Sequence, residues 1–128
     1  MSSQKVTKVE RGWPGHFICG DRCVFHRNTL LSFKGLKIVV STVGAMRDIH
    51  SVNASKFVPI GHNRYYETMA FYANLDDTRY YDINVSKQIY FDSSWSIATL
   101  DADDKANVMH DNVVIELETK LLLAALED

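Results

Sequence analysis

The 128-residue sequence predicts an α+β domain, in which an antiparallel β-sheet of about five or six strands precedes one long C-terminal amphipathic helix. β-Branched and aromatic runs broken by turn residues place the strands within about 5–92. Apolar residues at three- and four-residue steps place the helix at about 101–125. A chain of this size that is 46% hydrophobic can bury its own core, so residues 1–128 are expected to form a single compact domain.

Six runs have the composition of strands, and the most pronounced is Leu-Lys-Ile-Val-Val-Ser-Thr-Val at 36–43. Lys34-Gly35 before it reads as a tight turn. The polar stretch 44–56 has no periodicity and is expected to be a surface loop. The six predicted strands cover 16–19, 23–31, 36–43, 57–60, 65–73 and 80–91.

The predicted helix begins with an acidic first turn, which favours the positive end of the helix dipole. One apolar stripe would cover the sheet: Ala102, Ala106, Met109, Val113, Leu117, Leu121 and Ala124. Val108, Ile115 and Leu122 lie at steps of seven on another face. This second set predicts a homodimer or higher oligomer through the C-terminal helix. The alternative is that the sheet curls around both faces.

Charge is distributed unevenly, since residues 1–64 carry a net charge of +7 and residues 65–128 carry −9. The two halves can attract each other, or leave a local basic pocket. A pI near 6.2 argues against direct DNA binding, but a few arginines would suffice for a small anion. No apolar segment is long enough for a membrane span, and the N-terminal residues lack a signal-peptide core. A cytoplasmic protein is therefore expected.

Catalytic signatures are missing from the sequence, which has no nucleophile elbow, no His-Glu-x-x-His and no phosphate loop. We therefore expect a protein that is not an enzyme and has no cofactor. His16, Cys19, Cys23 and His26 could be considered as zinc ligands, but strand alternation keeps His16 and Cys19 apart, which favours buried thiols. Asp103, Asp104 and His110 could hold a divalent cation, although the helix dipole already explains the aspartates.

Aromatic side chains interleaved with arginines suggest a nucleotide-like ligand instead. Purines stack on aromatic faces, phosphates bind guanidinium groups, and ribose hydroxyls bind Asn, Asp or Ser. The candidates from this pattern are Trp13, Arg47, Arg64, Phe91 and Trp95. For Trp13 and Trp95, packing in the core is the alternative.

Four segments carry a resemblance to small phage-encoded proteins: RGWPGHFIC at 11–19, FHRNTLL at 25–31, IVVSTVG at 38–44 and RYYETMAF at 64–71. The layout, over most of the chain, is similar to the first Thoeris anti-defence sponge family. That resemblance implies an antiparallel sheet with C-terminal helices, assembly into homo-oligomers, and sequestration of a cyclic ADP-ribose isomer without cleavage. For a phage-encoded protein the location would be the host cell cytoplasm.

The resemblance also implies roles for individual residues. Trp13 and Phe91 would sandwich the adenine, Arg64 and Arg27 would hold the diphosphate, and Asn107 would contact a ribose. The predicted helix contains no arginine, so a phosphate contact from it would need Lys105 or Lys120.

The function expected from these observations is a phage counter-defence protein that binds and sequesters a cyclic nucleotide-derived immune signal. The alternative is an acidic protein-binding inhibitor, such as an anti-CRISPR, that blocks a nucleic-acid-binding host complex. A small nucleotide-processing enzyme is a third reading, which would require product formation.

Overall fold

The computed structural model describes residues 5–12, 23–47, 57–58, 60, 64–90, 95–100 and 102–127. Within these residues the chain forms seven strands and one helix, and the predicted α+β class is confirmed. The elements are β1 (Thr7–Glu10), β2 (Cys23–Phe33), β3 (Leu36–Arg47), β4 (Phe57–Val58), β5 (Tyr66–Ala73), β6 (Ile83–Tyr90), β7 (Ser96–Ile97) and α1 (Asp103–Glu127).

All strand pairs are antiparallel, and the main order is β1-β2-β3-β5-β6. The short strands β4 and β7 pair with β3 and β5. The long β2 and β3 are joined at Lys34-Gly35, where both residues have positive φ, 51° and 83°. Two such residues form the hairpin turn that matches strand twist, so the predicted turn is confirmed.

The helix α1 packs on one face of the sheet because its apolar stripe matches the inward residues of β2, β3 and β5. Leu31, Val40 and Ala70 from the strands meet Val113 and Leu117 from the helix in one buried cluster. The stripe predicted from the sequence is buried at Ala102, Ala106, Val113, Leu117 and Leu121. The sheet face opposite α1 is buried too, at Val39 and Val43 among others.

The start of α1 is fixed by Tyr66 on β5. Its hydroxyl donates to Asp103 Oδ1 at 2.7 Å and accepts from the Ala102 amide at 3.0 Å. The ring lies over Gly44, where an added Cβ would stand 2.1 Å from Tyr66 Cδ2. A glycine on β3 is therefore required for the tyrosine to reach the helix.

The structure corrects some predicted boundaries. The strand β3 continues to Arg47, where a loop over 44–56 was expected, because Gly44 still pairs with Tyr66, and Met46 pairs with Val58 of β4. Residues 48–56 lie outside the described part. The strand β6 begins at Ile83 rather than 80, and β4 spans only Phe57–Val58 of the predicted 57–60.

A turn replaces the expected start of β6. The Tyr81 amide donates to the Asp77 carbonyl at 2.8 Å, and Tyr81 has a φ of 48°. Arg11 holds this turn, since its Nη1 donates to the carbonyls of Tyr80 and Tyr81.

Neither β1 nor β7 was predicted as a separate strand, because both are short. The predicted strand 16–19 lies outside the described residues.

The single helix within the described residues is not long and apolar enough to cross a bilayer.

Candidate ligand-binding site

Polar side chains of β1, β2 and α1 meet along one side of the helix. They line a solvent-open groove of about 420 Å³, formed by Lys8, Glu10, Arg27, Thr29, Asp111, Val114 and Ile115. Strand alternation places Arg27 and Thr29 on the same face of β2, and Glu10 pairs with Thr29 across the β1–β2 ladder. The sheet register and the docking of α1 therefore build the groove together.

Arg27 stands at the centre of this groove, with 24% of its side chain exposed. Its Nη2 donates to Glu10 Oε2 at 2.9 Å, and its Nη1 donates to Asp111 Oδ1 at 2.8 Å. Nη1 also lies 3.4 Å from both the side-chain and main-chain oxygens of Asn107. Beside it, Lys8 Nζ pairs with Glu118 at 3.0 Å. The guanidinium thus bridges the two edges of the groove.

Electrostatics keep this cluster ionised. Burial alone would raise the pKa of Glu10, but the hydrogen bonds from Arg27 and Thr29 lower it below its usual value. Burial opposes the charge on Arg27, yet Glu10 and Asp111 raise the pKa of the guanidinium. The Asp111 carboxylate is 59% exposed, so it is the more easily displaced of the two partners.

A chain of hydrogen bonds runs from the groove into the interface between sheet and helix. Thr29 Oγ1 donates to Glu10 Oε2 at 2.7 Å and lies 2.7 Å from His110 Nε2. His110 Nδ1 lies 2.7 Å from Thr42 Oγ1, which lies 2.5 Å from Thr68 Oγ1. His110, Thr42 and Thr68 are completely buried.

The donor and acceptor of each hydrogen bond in this chain can be assigned by starting from the bond between Thr29 and Glu10. Thr29 gives its one hydroxyl proton to Glu10, so it can only accept from His110, which must carry its proton on Nε2. Burial, assisted by the Arg27 charge, lowers the pKa of His110 to about 4. The neutral ring then accepts at Nδ1 from Thr42, and Thr42 accepts from Thr68. His110 is consequently a neutral, fully bonded residue near pH 7.

The structure brings two predicted site residues together, since Arg27 Nη1 lies 3.4 Å from Asn107 Oδ1, although Asn107 is beside the groove and does not line it. Arg64 lies elsewhere, in an ion pair with Glu67 at 3.1 Å. Tyr66 and Thr68, the neighbours of Glu67 on β5, point toward α1. Because side chains alternate along a strand, Glu67 points away from α1. Arg27 and Arg64 therefore lie on opposite faces of the sheet and cannot share one diphosphate. Arg47 ends β3, and its side chain is outside the described part, as are Trp13 and Phe91.

The cation site considered at the start of α1 is wrong. The Asp103 carboxylate accepts a hydrogen bond from the Tyr66 hydroxyl. His110 lies seven residues further along the helix, and both of its ring nitrogens are hydrogen-bonded to threonines of the sheet. Trp95 is 6% exposed and belongs to the core cluster, so the packing alternative is correct for it.

The zinc alternative gains no support in the described residues. Cys23 is buried, and His26, three positions along β2, lies on the other face of the strand with its Nδ1 2.8 Å from the Gly12 carbonyl. His16 and Cys19 lie outside the described residues. Across the described ranges, no group of three or more metal-ligating side chains occurs.

Sequence reasoning missed Glu10, Thr29 and Asp111. A signal for them was present: Arg27 and Thr29 alternate on one strand, and Asn107 and Asp111 stand one helical turn apart. Glu10 could be placed beside them only through the β1–β2 register, which the sequence does not provide.

This arrangement suits reversible binding of a polar ligand. The guanidinium of Arg27, the ammonium of Lys8 and the hydroxyl of Thr29 line an open groove, and the carboxylates now paired with Arg27 can be exchanged for a ligand. Comparisons with family models, curated proteins and solved structures give no significant match for the chain.

Proposed function

We propose that this chain binds a small, phosphorylated, nucleotide-derived signal at the groove around Arg27 and holds it without cleavage. In full, the proposal is a phage counter-defence protein that sequesters a cyclic ADP-ribose isomer in the host cytoplasm. The observation that carries it is the contact between Arg27 and Asn107, two residues that the resemblance assigns to phosphate and ribose. They are 80 positions apart in sequence, and Arg27, which lines the open groove, lies 3.4 Å from Asn107 beside it.

The binding step follows from how Arg27 is held. A phosphate oxygen would replace the exposed Asp111 carboxylate on Nη1, while Glu10 would keep the guanidinium in place through Nη2. The displaced Asp111 can turn to solvent, since more than half of its side chain is exposed. Lys8 at the same groove would supply a second positive charge.

Storage rather than turnover fits the chemistry of the groove. Within the described residues, the imidazole of His110 is bonded to the groove residue Thr29, and both of its nitrogens are engaged by threonines. A general base must reach the proton that it removes, which His110 cannot do from its buried position. The groove carboxylates of Glu10 and Asp111 are both paired with Arg27, and the lowered pKa of Glu10 makes it a weak base. Slow release of an intact ligand is therefore the behaviour that the proposal expects.

Isothermal titration with cyclic ADP-ribose isomers tests this proposal. We expect saturable binding by the wild-type chain and a loss of about tenfold or more in affinity for Arg27→Ala, because a charged hydrogen-bond donor to phosphate is removed. Arg79→Ala is the matched control, since Arg79 stacks on Tyr80 away from the groove and should leave affinity unchanged. Chromatography should recover the ligand intact. No heat with any isomer would refute the proposal.

An acidic protein-binding inhibitor is the second candidate, and the surface of α1 favours it. The helix has six acidic residues and two lysines, and Asp104 is exposed on it. Asp104→Lys would weaken salt-sensitive binding to a basic partner, whereas it should not change ligand affinity at Arg27. Asp103 is unsuitable for this test because it anchors Tyr66.

A further inference from the structure

A second pocket, of about 520 Å³, lies at the end of the sheet where β2 and β3 are joined, and it shares no residue with the Arg27 groove. It is formed by the start of β3, the end of β5 with the turn that follows, and β6. The lining residues that bear on binding are Leu36, Tyr72, Leu75, Asp76, Asn84 and Lys87. A cavity of this size can hold a small organic molecule.

The apolar side of this pocket continues the helix-facing surface of the sheet beyond the helix. Ile38 is buried in the cluster under α1, whereas Leu36, two positions earlier on the same face of β3, is 43% exposed. Tyr72 pairs with Ile38 across the ladder and is 40% exposed. Leu75, in the turn after β5, is also exposed. Three large apolar side chains thus meet solvent around one cavity, which is typical of a binding site.

A bulge in β6 opens the pocket beside these side chains. While β5 advances by two residues, from Phe71 to Ala73, its partner positions on β6 run back by five, from Gln88 to Ile83. Three extra residues of β6 therefore leave the ladder opposite Tyr72. Bulges often lie next to functional sites, where they redirect side chains.

The bulge presents Asn84 and Lys87 to the pocket. Each is next to a β6 residue that pairs with β5 on the face opposite α1, Ile83 or Gln88. Because side chains alternate along a strand, Asn84 and Lys87 are directed to the same face as Tyr72. An amide and an ammonium group therefore stand beside the exposed tyrosine.

Two opposite charges line the pocket without pairing with each other. Lys87 lies on the bulge and Asp76 on the turn after β5, and within the described residues neither forms an ion pair. The other lysine of the lining, Lys37, is engaged elsewhere. Its Nζ donates to Ser32 Oγ at 3.0 Å and lies 4.5 Å from the centre of the Tyr81 ring. The pocket therefore offers one ammonium and one carboxylate to a ligand.

We propose that this pocket binds a free α-amino acid with an apolar side chain. The α-carboxylate pairs with Lys87, the α-ammonium pairs with Asp76, and the side chain packs on the ring of Tyr72. Asn84 Oδ1 already accepts from Ser86, so Nδ2 of Asn84 remains as a second donor to the carboxylate. A zwitterion satisfies both charges at once, whereas a simple anion or cation would be repelled by one of them. Because the pocket is separate from the Arg27 groove, this assignment does not depend on the proposed function.

Isothermal titration of the full chain with L-phenylalanine and two analogues tests the assignment. We expect saturable binding of L-phenylalanine with a dissociation constant below about 1 mM. Hydrocinnamate, which lacks the ammonium, and phenethylamine, which lacks the carboxylate, should each bind about threefold or more weakly, because each loses one ion pair at an exposed site. No saturable binding of L-phenylalanine, or equal affinity for the three compounds, would overturn the proposal.

Two variants separate the roles of the charges. In Lys87→Met, L-phenylalanine should lose its advantage over phenethylamine, because the partner of the carboxylate is removed. In Asp76→Asn it should lose its advantage over hydrocinnamate. Both side chains are exposed, so each variant should keep the wild-type circular dichroism spectrum. Lys105→Met, at an exposed lysine of α1 outside the pocket, is the control and should leave all three affinities unchanged. An advantage retained in either variant would contradict the assignment.

The apolar contact is tested with Tyr72→Ser, which should weaken all three compounds alike, by about fivefold, because each presents its ring to the tyrosine. Val24→Ser is the matched control, since Val24 is 46% exposed at the opposite end of β2. Unchanged affinities in Tyr72→Ser would place the ligand outside this pocket and overturn the proposal.

Discussion

A buried histidine must satisfy two ring nitrogens, and His110 does so with hydroxyls from two different strands. Thr29 accepts from Nε2 and Thr42 donates to Nδ1, both at 2.7 Å. A missing partner at such a site costs about 1–3 kcal/mol, since the ring is removed from water. The same chain holds Glu10, and through Glu10 it orients Arg27. The interior polar chain thus sets the geometry of the groove.

The lowered pKa of His110 predicts how stability depends on pH. The unfolded ring titrates near 6.5 and the folded ring near 4, so the unfolded state binds more protons between these values. The free energy of unfolding should therefore fall by about 3 kcal/mol as pH drops from 7 to 4. Near the lower limit Glu10 adds to the same trend, because its pKa is also lowered in the folded state.

Urea unfolding at several pH values measures this slope. His110→Gln should flatten it between pH 7 and pH 5, whatever its effect on absolute stability. His26→Gln, on the other face of β2, leaves the buried ring in place and should retain the slope. An unchanged slope in His110→Gln would show that another group is responsible.

The role of His110 could not be predicted from the sequence. A histidine inside an apolar helical stripe can bind a metal ion or a ligand, or it can be a core residue whose ring nitrogens are both hydrogen-bonded. Only the identity of its hydrogen-bond partners distinguishes these roles. Those partners, Thr29 and Thr42, are remote in the chain and are aligned by the β2–β3 register. Arg27 and Asn107, by contrast, were predicted as site residues, and the structure brings them into contact.

At the scale of elements, α1 depends on β5 for its position. Tyr66 donates to Asp103, accepts from the Ala102 amide, and packs edge-on against Phe25 with ring centroids 5.7 Å apart. The Tyr66 ring occupies the space that a side chain at position 44 would fill, so this position requires glycine. The end of β3, from Gly44 to Arg47, was predicted to be part of a loop, because the pairing of Gly44 with Tyr66 is a tertiary contact that composition does not reveal.

Gly44→Ala should therefore destabilise the fold by about 2 kcal/mol or more, because the new methyl group overlaps the tyrosine ring and forces it from the helix start. Chemical denaturation measures the loss. In a Tyr66→Ala background the same substitution should cost much less, since no ring remains to be displaced. Equal costs in the two backgrounds would contradict this account of β3.

At the scale of the whole molecule, the charge asymmetry is partly resolved by pairing between the two halves. Lys8 with Glu118, Arg27 with Asp111 and Arg64 with Glu67 each join a cation from residues 1–64 to an acid from 65–128. Partly exposed pairs of this kind contribute little stability individually. Their arrangement matters more, because it places Arg27 and Lys8 along the same groove.

The global architecture was predictable because it depends on local periodicity. Alternation of apolar and polar residues indicated the strands, and apolar residues at three- and four-residue steps indicated α1. Both signals depend only on residues that are close together in the sequence. The site was predictable only in part. Chemistry singled out arginines, but whether two of them share a face depends on strand register, which separates Arg64 from Arg27.

The most direct test of the central claim is to purify the protein from cells that make cyclic ADP-ribose isomers, denature it, and identify the released small molecules by mass. The account predicts an intact cyclic ADP-ribose isomer from the wild type and about tenfold less from Arg27→Ala, because in the proposed complex the guanidinium would be the principal phosphate contact. Release of no nucleotide-derived molecule, or only of a cleaved product, would contradict it.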